Sequence, residues 1–267
     1  MRVAPEARRA WVLRIDGAAD GPTNMARDHA LVRRSGPDGG FLRLYRWDPP
    51  TLSLGRNEPG VGRYDVAEAR TRGIGIVRRP TGGRAVLHAR EVTYALAAPI
   101  RFFGGPRVAH RTINEALVRG LTLLGVEVTL AGPDADVRRT TRLDLGACFR
   151  TPAPGEIVAG GRKLVGSAQV RVGDALLQHG SILLEDDQGL VDALSGAGRP
   201  AVRCRVEGSA SLAGLLGHTP DPARVCEAVA EGFRETLGGS WTRCVEDIEL
   251  PPDLLERYRS PEWTWRR

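Results

Sequence analysis

An α+β fold, with a mixed or antiparallel β-sheet core flanked by helices, is what the 267-residue sequence predicts. Three observations carry this. Two apolar-rich runs, 164–172 and 175–184, are separated only by Gly173-Asp174, the spacing of a β-hairpin. Further strand-like runs crowd the first hundred residues. The clear amphipathic helices are few, and two long ones fall at 107–124 and 222–237.

Taken in order, residues 10–15 read as a strand. Thr23 or Asn24 then caps a helix running to about residue 34. Residues 41–47 alternate apolar and polar side chains, as a half-buried strand does. Pro49-Pro50 ends that run. A strand at 51–56 and a short helix at 64–72 follow, the helix stopped by Gly73.

A strand from Ile76 then leads to Arg79-Pro80-Thr81-Gly82-Gly83-Arg84, and a second strand ends at His88. Taken alone, Gly82-Gly83 reads as an ordinary hairpin turn. Glycines there also let a ligand approach the backbone, and exposed N–H groups hold an anion or a carbonyl. Residues 91–99 continue as a strand. The 107–124 helix ends at Gly125, and 126–130 is a strand. Residues 132–144 are polar, and Cys148-Phe149 lies next to a Pro-rich connection, Thr151-Pro152-Ala153-Pro154-Gly155. After the hairpin come helices at 189–194, 210–216 and 222–237, a strand at 240–246 and a short helix from Pro251. The chain reads as one domain, 1–267, with 218–267 as a C-terminal helical extension of it.

The sequence holds 38 Lys+Arg, and Lys163 is the single lysine. Arginine replaces lysine wherever a stem and a charge suffice, but not where a compact ammonium or a tunable pKa is needed. Lys163 is therefore a candidate for chemistry. It sits at the mouth of the hairpin, fifteen residues after Cys148. A lysine ammonium beside a cysteine favours the thiolate, which activates a nucleophile. Cys226 and Cys244 read as core cysteines, and Cys204 is flanked by arginines. No Cys-x-x-Cys pair or other metal-ligand spacing is present.

No apolar run reaches about 18 residues, so no membrane span is read. No secretory signal core is read either, and a cytoplasmic protein is expected. The net charge of +6 invites a nucleic-acid partner. Against this, the arginines are dispersed and aromatics are 5% of residues. An acidic protein partner fits the charge equally well.

Several stretches together resemble the lipoate-protein ligase A family of acyl transferases, itself related to biotin protein ligases. They are Asn24-Met25-Ala26, Leu52-Ser53-Leu54-Gly55-Arg56, the segment from Arg78-Arg79-Pro80 to Leu87-His88, and Thr93-Tyr94. Gly161-Arg162-Lys163-Leu164-Val165-Gly166-Ser167-Ala168-Gln169, Leu177-Gln178-His179-Gly180-Ser181 and Tyr258-Arg259-Ser260-Pro261-Glu262-Trp263 complete the set. Gly82-Gly83-Arg84 and Cys148-Phe149 match the octanoyltransferase branch better than the ligases. Ala89 departs from the aspartate that relatives often carry there.

The resemblance implies a lipoate-ligase-like catalytic domain that moves octanoate from octanoyl-acyl carrier protein to a lysine of a lipoyl domain or glycine cleavage H protein. Cys148 and Lys163 would be catalytic. Arg79, Gly82, Gly83, His88, Gly166, Ser167, Gln178 and His179 would bind substrate, with His179 a candidate for proton transfer. No cofactor, metal, nucleic acid or membrane is implied, and a monomer is expected. An ATP-dependent lipoate ligase, a lipoyl amidotransferase and a non-enzymatic binding module remain as alternatives.

Overall fold

The computed structural model describes residues 9–132, 154–195 and 208–266. Cys148 and Cys204 lie outside them. Eleven strands, eight α-helices and a 3-10 turn at Ile100–Phe102 are present among the described residues. The large sheet has the order β11-β1-β2-β6-β10-β9-β8-β7. Its strands are β1 (Ala10–Ala19), β2 (Gly39–Trp47), β6 (Glu91–Pro99), β7 (Thr129–Leu130), β8 (Ile157–Ala159), β9 (Arg162–Val172), β10 (Ala175–Leu183) and β11 (Ser240–Arg243). β1 runs parallel to β2 and β11, and the remaining pairs are antiparallel. A small sheet of β3 (Thr51–Leu54), β4 (Gly75–Arg78) and β5 (Val86–His88) has the order β4-β3-β5.

Side chains alternate across a strand, and the two faces of the large sheet bury different partners. One face is covered by α3 (Pro106–Leu123) and α6 (Pro222–Leu237). There Leu42, Leu44, Tyr94, Leu96, Leu176 and Ile182 pack with Ile113, Leu117, Val229 and Phe233. The opposite face is covered by α1 (Gly21–Arg34), α7 (Pro252–Arg259) and the small sheet. There Tyr45, Trp47, Ala95, Ala97 and Leu177 meet Met25, Leu31, Leu254 and Tyr258. The helices α2 (Val66–Thr71), α4 (Leu190–Ala193), α5 (Leu212–Leu216) and α8 (Pro261–Thr264) complete the set.

Most expected elements are present, with instructive differences. Asp20, not Thr23 or Asn24, caps α1 by accepting from Thr23 N at 2.7 Å. Pro22 in the first turn is compatible with this earlier start, because a first-turn N–H has no intrahelical partner to lose. Residues 157–159, not expected as a strand, form β8. Gly160 and Gly161, at φ 54° and 75°, make the two-residue turn into β9, a conformation that needs positive φ at both positions. The strand expected at 126–130 is reduced to Thr129–Leu130. The Gly82-Gly83 segment is not a hairpin turn. β4 and β5 flank β3 on opposite sides, so this segment crosses the end of β3. Cys226 is buried as expected. Cys244 follows the end of β11, is half-buried, and accepts from Arg14 at 3.3 Å instead of packing in a core.

Candidate active site

A small cavity of about 30 Å³ lies between the two sheets. Its floor comes from two cross-strand rows of the large sheet, of which Tyr45, Thr93, Ser181, Gly166, His179 and Ala168 line it. One row is Tyr45–Thr93–Ser181–Gly166 and the next is Arg43–Ala95–His179–Ala168. Its roof comes from the small sheet, with Ser53, Val86, His88 and Arg79, and from Met25 of α1. Gly166 leaves the first row open at its β9 end, where a side chain would stand on the floor.

Both cavity histidines are held by a buried carboxylate on one side and a hydroxyl on the other. His179 Nδ1 lies 3.0 Å from Asp28 Oδ2, and its Nε2 lies 2.7 Å from Thr81 Oγ1. Asp28 also accepts from Arg43 and from the Tyr45 hydroxyl, each at 2.8 Å. Burial opposes the Asp28 charge, but these donors outweigh it and hold the carboxyl below the usual range. Burial also lowers the His179 pKa. An ionised Asp28 only accepts, so neutral His179 donates through Nδ1–H and accepts the Thr81 hydroxyl at Nε2. The second pair repeats this pattern. His88 Nδ1 lies 2.7 Å from Glu91 and Nε2 lies 2.7 Å from Ser53 Oγ. Trp47 stacks on the His88 ring with centroids 4.0 Å apart. Its indole N–H donates to Thr93, which donates in turn to Glu91.

Arg79 acts as a clamp. It donates to the carbonyls of Gly82, Arg84 and Ser53 and to the Ser53 hydroxyl, fixing the Gly82-Gly83 segment above β3. Gly83 has φ +93°, and a Cβ on Gly55 would fall 1.8 Å from the Gly83 carbonyl oxygen. This closeness requires glycine at both places.

Lys163 does not line the cavity; it precedes an irregularity of β9. β8 pairs Ile157 with Val165 but Val158 with Lys163, so Leu164 is an extra residue on β9. Leu164 and Val165 consequently both enter the core under α3. The bulge returns Lys163 to the face shared by Gly166, Ala168, His179 and Ser181, a re-aiming that a regular strand would not give. Only 2% of the lysine side chain is exposed, and Nζ donates to Glu156 Oε1 at 2.7 Å. Glu156 is fixed by its neighbour. Asn114 of α3 donates to the Gly155 carbonyl at 2.7 Å and accepts from Gln178 at 3.2 Å.

The expected site residues therefore divide. Arg79, His88, Gly166, Ser167 and His179 meet at the cavity. Gly82 and Gly83 form the clamped segment beside it. Gln178 points to the other face, where it donates to Tyr94 and Asn114, and Ser167 Oγ lies 2.7 Å from the same Tyr94 hydroxyl. Cys148 falls outside the described residues. Asp28, Glu91 and Glu156 were missed as site-building carboxylates. A lone acid between Met25 and Val32, on the apolar stretch where Arg27 is the other charged residue, would have been the signal for Asp28.

Residues 20–234 match the family model of the lipoyl protein ligase A/B catalytic domain. An octanoyltransferase LipM of Kyrpidia tusciae is 41% identical, the match covering 97% of this chain and all of the relative. One of Symbiobacterium thermophilum is 39% identical over 96% of this chain and 98% of that protein. Among solved structures, a lipoate-protein ligase A bound with ATP superposes with a TM-score of 0.74 at 23% identity, covering 97% of this chain and 98% of that one. The chain belongs to the lipoyl protein ligase A/B catalytic-domain family. Within it, the full-length relatives group it with the octanoyltransferases, acyltransferases of lipoate biosynthesis. Among the described residues no helix is long and apolar enough to cross a membrane.

Proposed function

We propose that the chain, as a single catalytic domain and a monomer, moves an octanoyl group from octanoyl-acyl carrier protein to a lysine of a lipoyl domain or glycine cleavage H protein. The path runs through a thioester on Cys148. The thiolate attacks the donor thioester carbonyl and the carrier thiol leaves. The acceptor amine then attacks the new thioester, forming an amide and releasing the Cys148 sulfur. The first step exchanges one thioester for another and the second is downhill, so neither needs ATP or a metal.

One observation supports this reading: the chain's only lysine is buried and paired with Glu156 at the bulge of β9, a short way along the strand from the cavity-lining Gly166. Lys163 precedes Gly166 by three residues, one of them the bulge, which leaves roughly 7 Å along the strand, somewhat less than the acyl chain. An extended eight-carbon chain is on the order of 9 Å, at about 1.25 Å of advance per ~1.5 Å bond. A carbonyl held at Lys163 thus places the tail end at the Gly166 side of the cavity. There His88 and His179, with both ring nitrogens already bonded, serve as walls. The net charge of +6 suits acidic donor and acceptor proteins.

The test is transfer from octanoyl-acyl carrier protein to an apo lipoyl domain with ATP omitted. Acceptor octanoylation that is lost in Cys148→Ser supports the reading. Modification that requires ATP and free lipoate replaces it with the ligase alternative.

A further inference from the structure

Gln178 belongs to the motif that carries His179, yet its side chain points to the α3 face of the large sheet, away from the cavity. It is fully buried there, and its amide is used from one end. Nε2 donates to the Tyr94 hydroxyl at 3.0 Å and to Asn114 Oδ1 at 3.2 Å. Oε1 is buried with no hydrogen-bond partner among the described residues. An orphaned buried acceptor is costly, and an apolar side chain of the same length would avoid it. What glutamine supplies at this position is therefore a pair of donors in a fixed direction.

Those donors set the next amide. A carbonyl oxygen only accepts, so Asn114 turns Nδ2 to the Gly155 carbonyl, 2.7 Å away, and Oδ1 toward a donor. Gln178 is that donor. Turned the other way, Asn114 would set Oδ1 against the Gly155 carbonyl and Nδ2 against the Gln178 N–H groups, and both contacts would be repulsive. The His110 ring lies farther from Nδ2, at 3.3 and 3.4 Å.

Gly155 has φ +81° and immediately precedes Glu156, whose Oε1 accepts from Lys163 Nζ at 2.7 Å. Two backbone bonds tie this segment to Ala131: Gly155 N–H donates to the Ala131 carbonyl, and Ala131 N–H donates to the Glu156 carbonyl. Neither bond touches the peptide unit that joins Gly155 to Glu156. Its carbonyl is held by Asn114. A peptide unit that follows glycine turns easily, because no Cβ restrains it, and turning it re-aims the Glu156 side chain.

We infer that Gln178 and Asn114 are positioning residues for Lys163: through the Gly155 carbonyl they fix the peptide plane that aims the Glu156 carboxylate at the ammonium. The path lies wholly within the described residues and links α3 and β10 to the start of β9. Its consequence for octanoyl transfer rests on the role given to Lys163 above; the positioning itself does not.

The single lysine makes the positioning visible without substrate. Protein grown on lysine isotope-labelled at Cε gives one lysine NMR signal. That signal is compared in wild type, Glu156→Gln, Gln178→Met and Asn114→Leu, each checked for cooperative thermal unfolding. Gln178→Met removes the two donors and the orphaned acceptor together at similar volume, so the fold is expected to hold. Both Gln178→Met and Asn114→Leu are expected to move the signal in the direction seen for Glu156→Gln. In steady-state transfer, Gln178→Met is expected to lower kcat about tenfold with KM for the donor within about twofold, and to add nothing in the Glu156→Gln background. A signal at its wild-type place in folded Gln178→Met, or losses that multiply with Glu156→Gln, overturns the assignment. A displaced signal with wild-type transfer rates keeps the positioning and removes the catalytic role given to Lys163.

Discussion

Lys163 Nζ lies 2.7 Å from Glu156 Oε1, in a setting that leaves 2% of the lysine side chain exposed. A guanidinium is planar, larger and differently hydrated, and cannot reproduce this compact contact. Lys163→Arg is therefore expected to lower kcat/KM about 100-fold or more, the scale of losing a positioned electrostatic contact. Steady-state octanoyl transfer with circular dichroism as a folding control checks this. Rates near wild type would show that a positive charge alone suffices.

Acid should weaken the fold in two stages. Burial pushes the His29 pKa down to about 4 from 6.5, with Arg33 and Arg257 adding to the shift. The unfolded state then binds a proton that the folded state refuses, so stability falls as pH drops from about 6.5 toward 4. The loss is at most about 3 kcal/mol, reduced by the partial solvent access of the ring. Asp28 has a depressed folded pKa, so its contribution is present above the ordinary carboxylate range and is lost only at lower pH. Urea midpoints measured against pH should show the upper stage flattened in His29→Gln and the lower stage retained.

Removing the Asp28 charge is a separate matter from titrating it. Asp28→Asn leaves Arg43 buried with one carboxylate fewer, although Asp16 still lies 2.5 Å from its Nε. A cost of about 3 kcal/mol is expected, the scale of breaking one side of a buried pair. Denaturant unfolding measures it. A change below about 1 kcal/mol would mean that Asp16 alone satisfies Arg43.

The cavity can be filled without touching its hydrogen bonds. Ala168 is on the floor beside His179. Ala168→Phe should block octanoyl uptake while sparing a butyryl donor, and comparing acyl-enzyme yields with the two donors checks this. Equal loss with both would place the chain elsewhere.

The contact between Gly55 and Gly83 is a backbone one. Gly55→Ala must push the clamped segment away from β3, because its methyl would overlap the Gly83 carbonyl oxygen. A loss of about 1–3 kcal/mol and reduced activity are expected, read from thermal unfolding and transfer rate.

What the sequence disclosed follows the reach of local rules. The 164–172 and 175–184 hairpin, the amphipathic helices α3 and α6, and the singular Lys163 are all local signals, and each is present in the fold. The Leu164 bulge is not local. It depends on how β8 pairs, and without it the period of two would aim Lys163 away from Gly166. The same period already separates Gln178 from His179, since neighbours on a strand face opposite sides. The Gly82-Gly83 segment looked like a hairpin turn because turn chemistry does not reveal that a third strand, β3, lies between β4 and β5. Asp28 gains its meaning from His179, 151 positions away, while Glu91 and Glu156 have near partners whose pairing depends on how the strands turn.

The most direct test of the thioester account is the intact mass of the protein after mixing with octanoyl-acyl carrier protein in the absence of ATP. The account predicts a gain of one octanoyl group, removed by hydroxylamine and absent in Cys148→Ser. An unchanged mass, together with acceptor modification when ATP and lipoate are supplied, would contradict it.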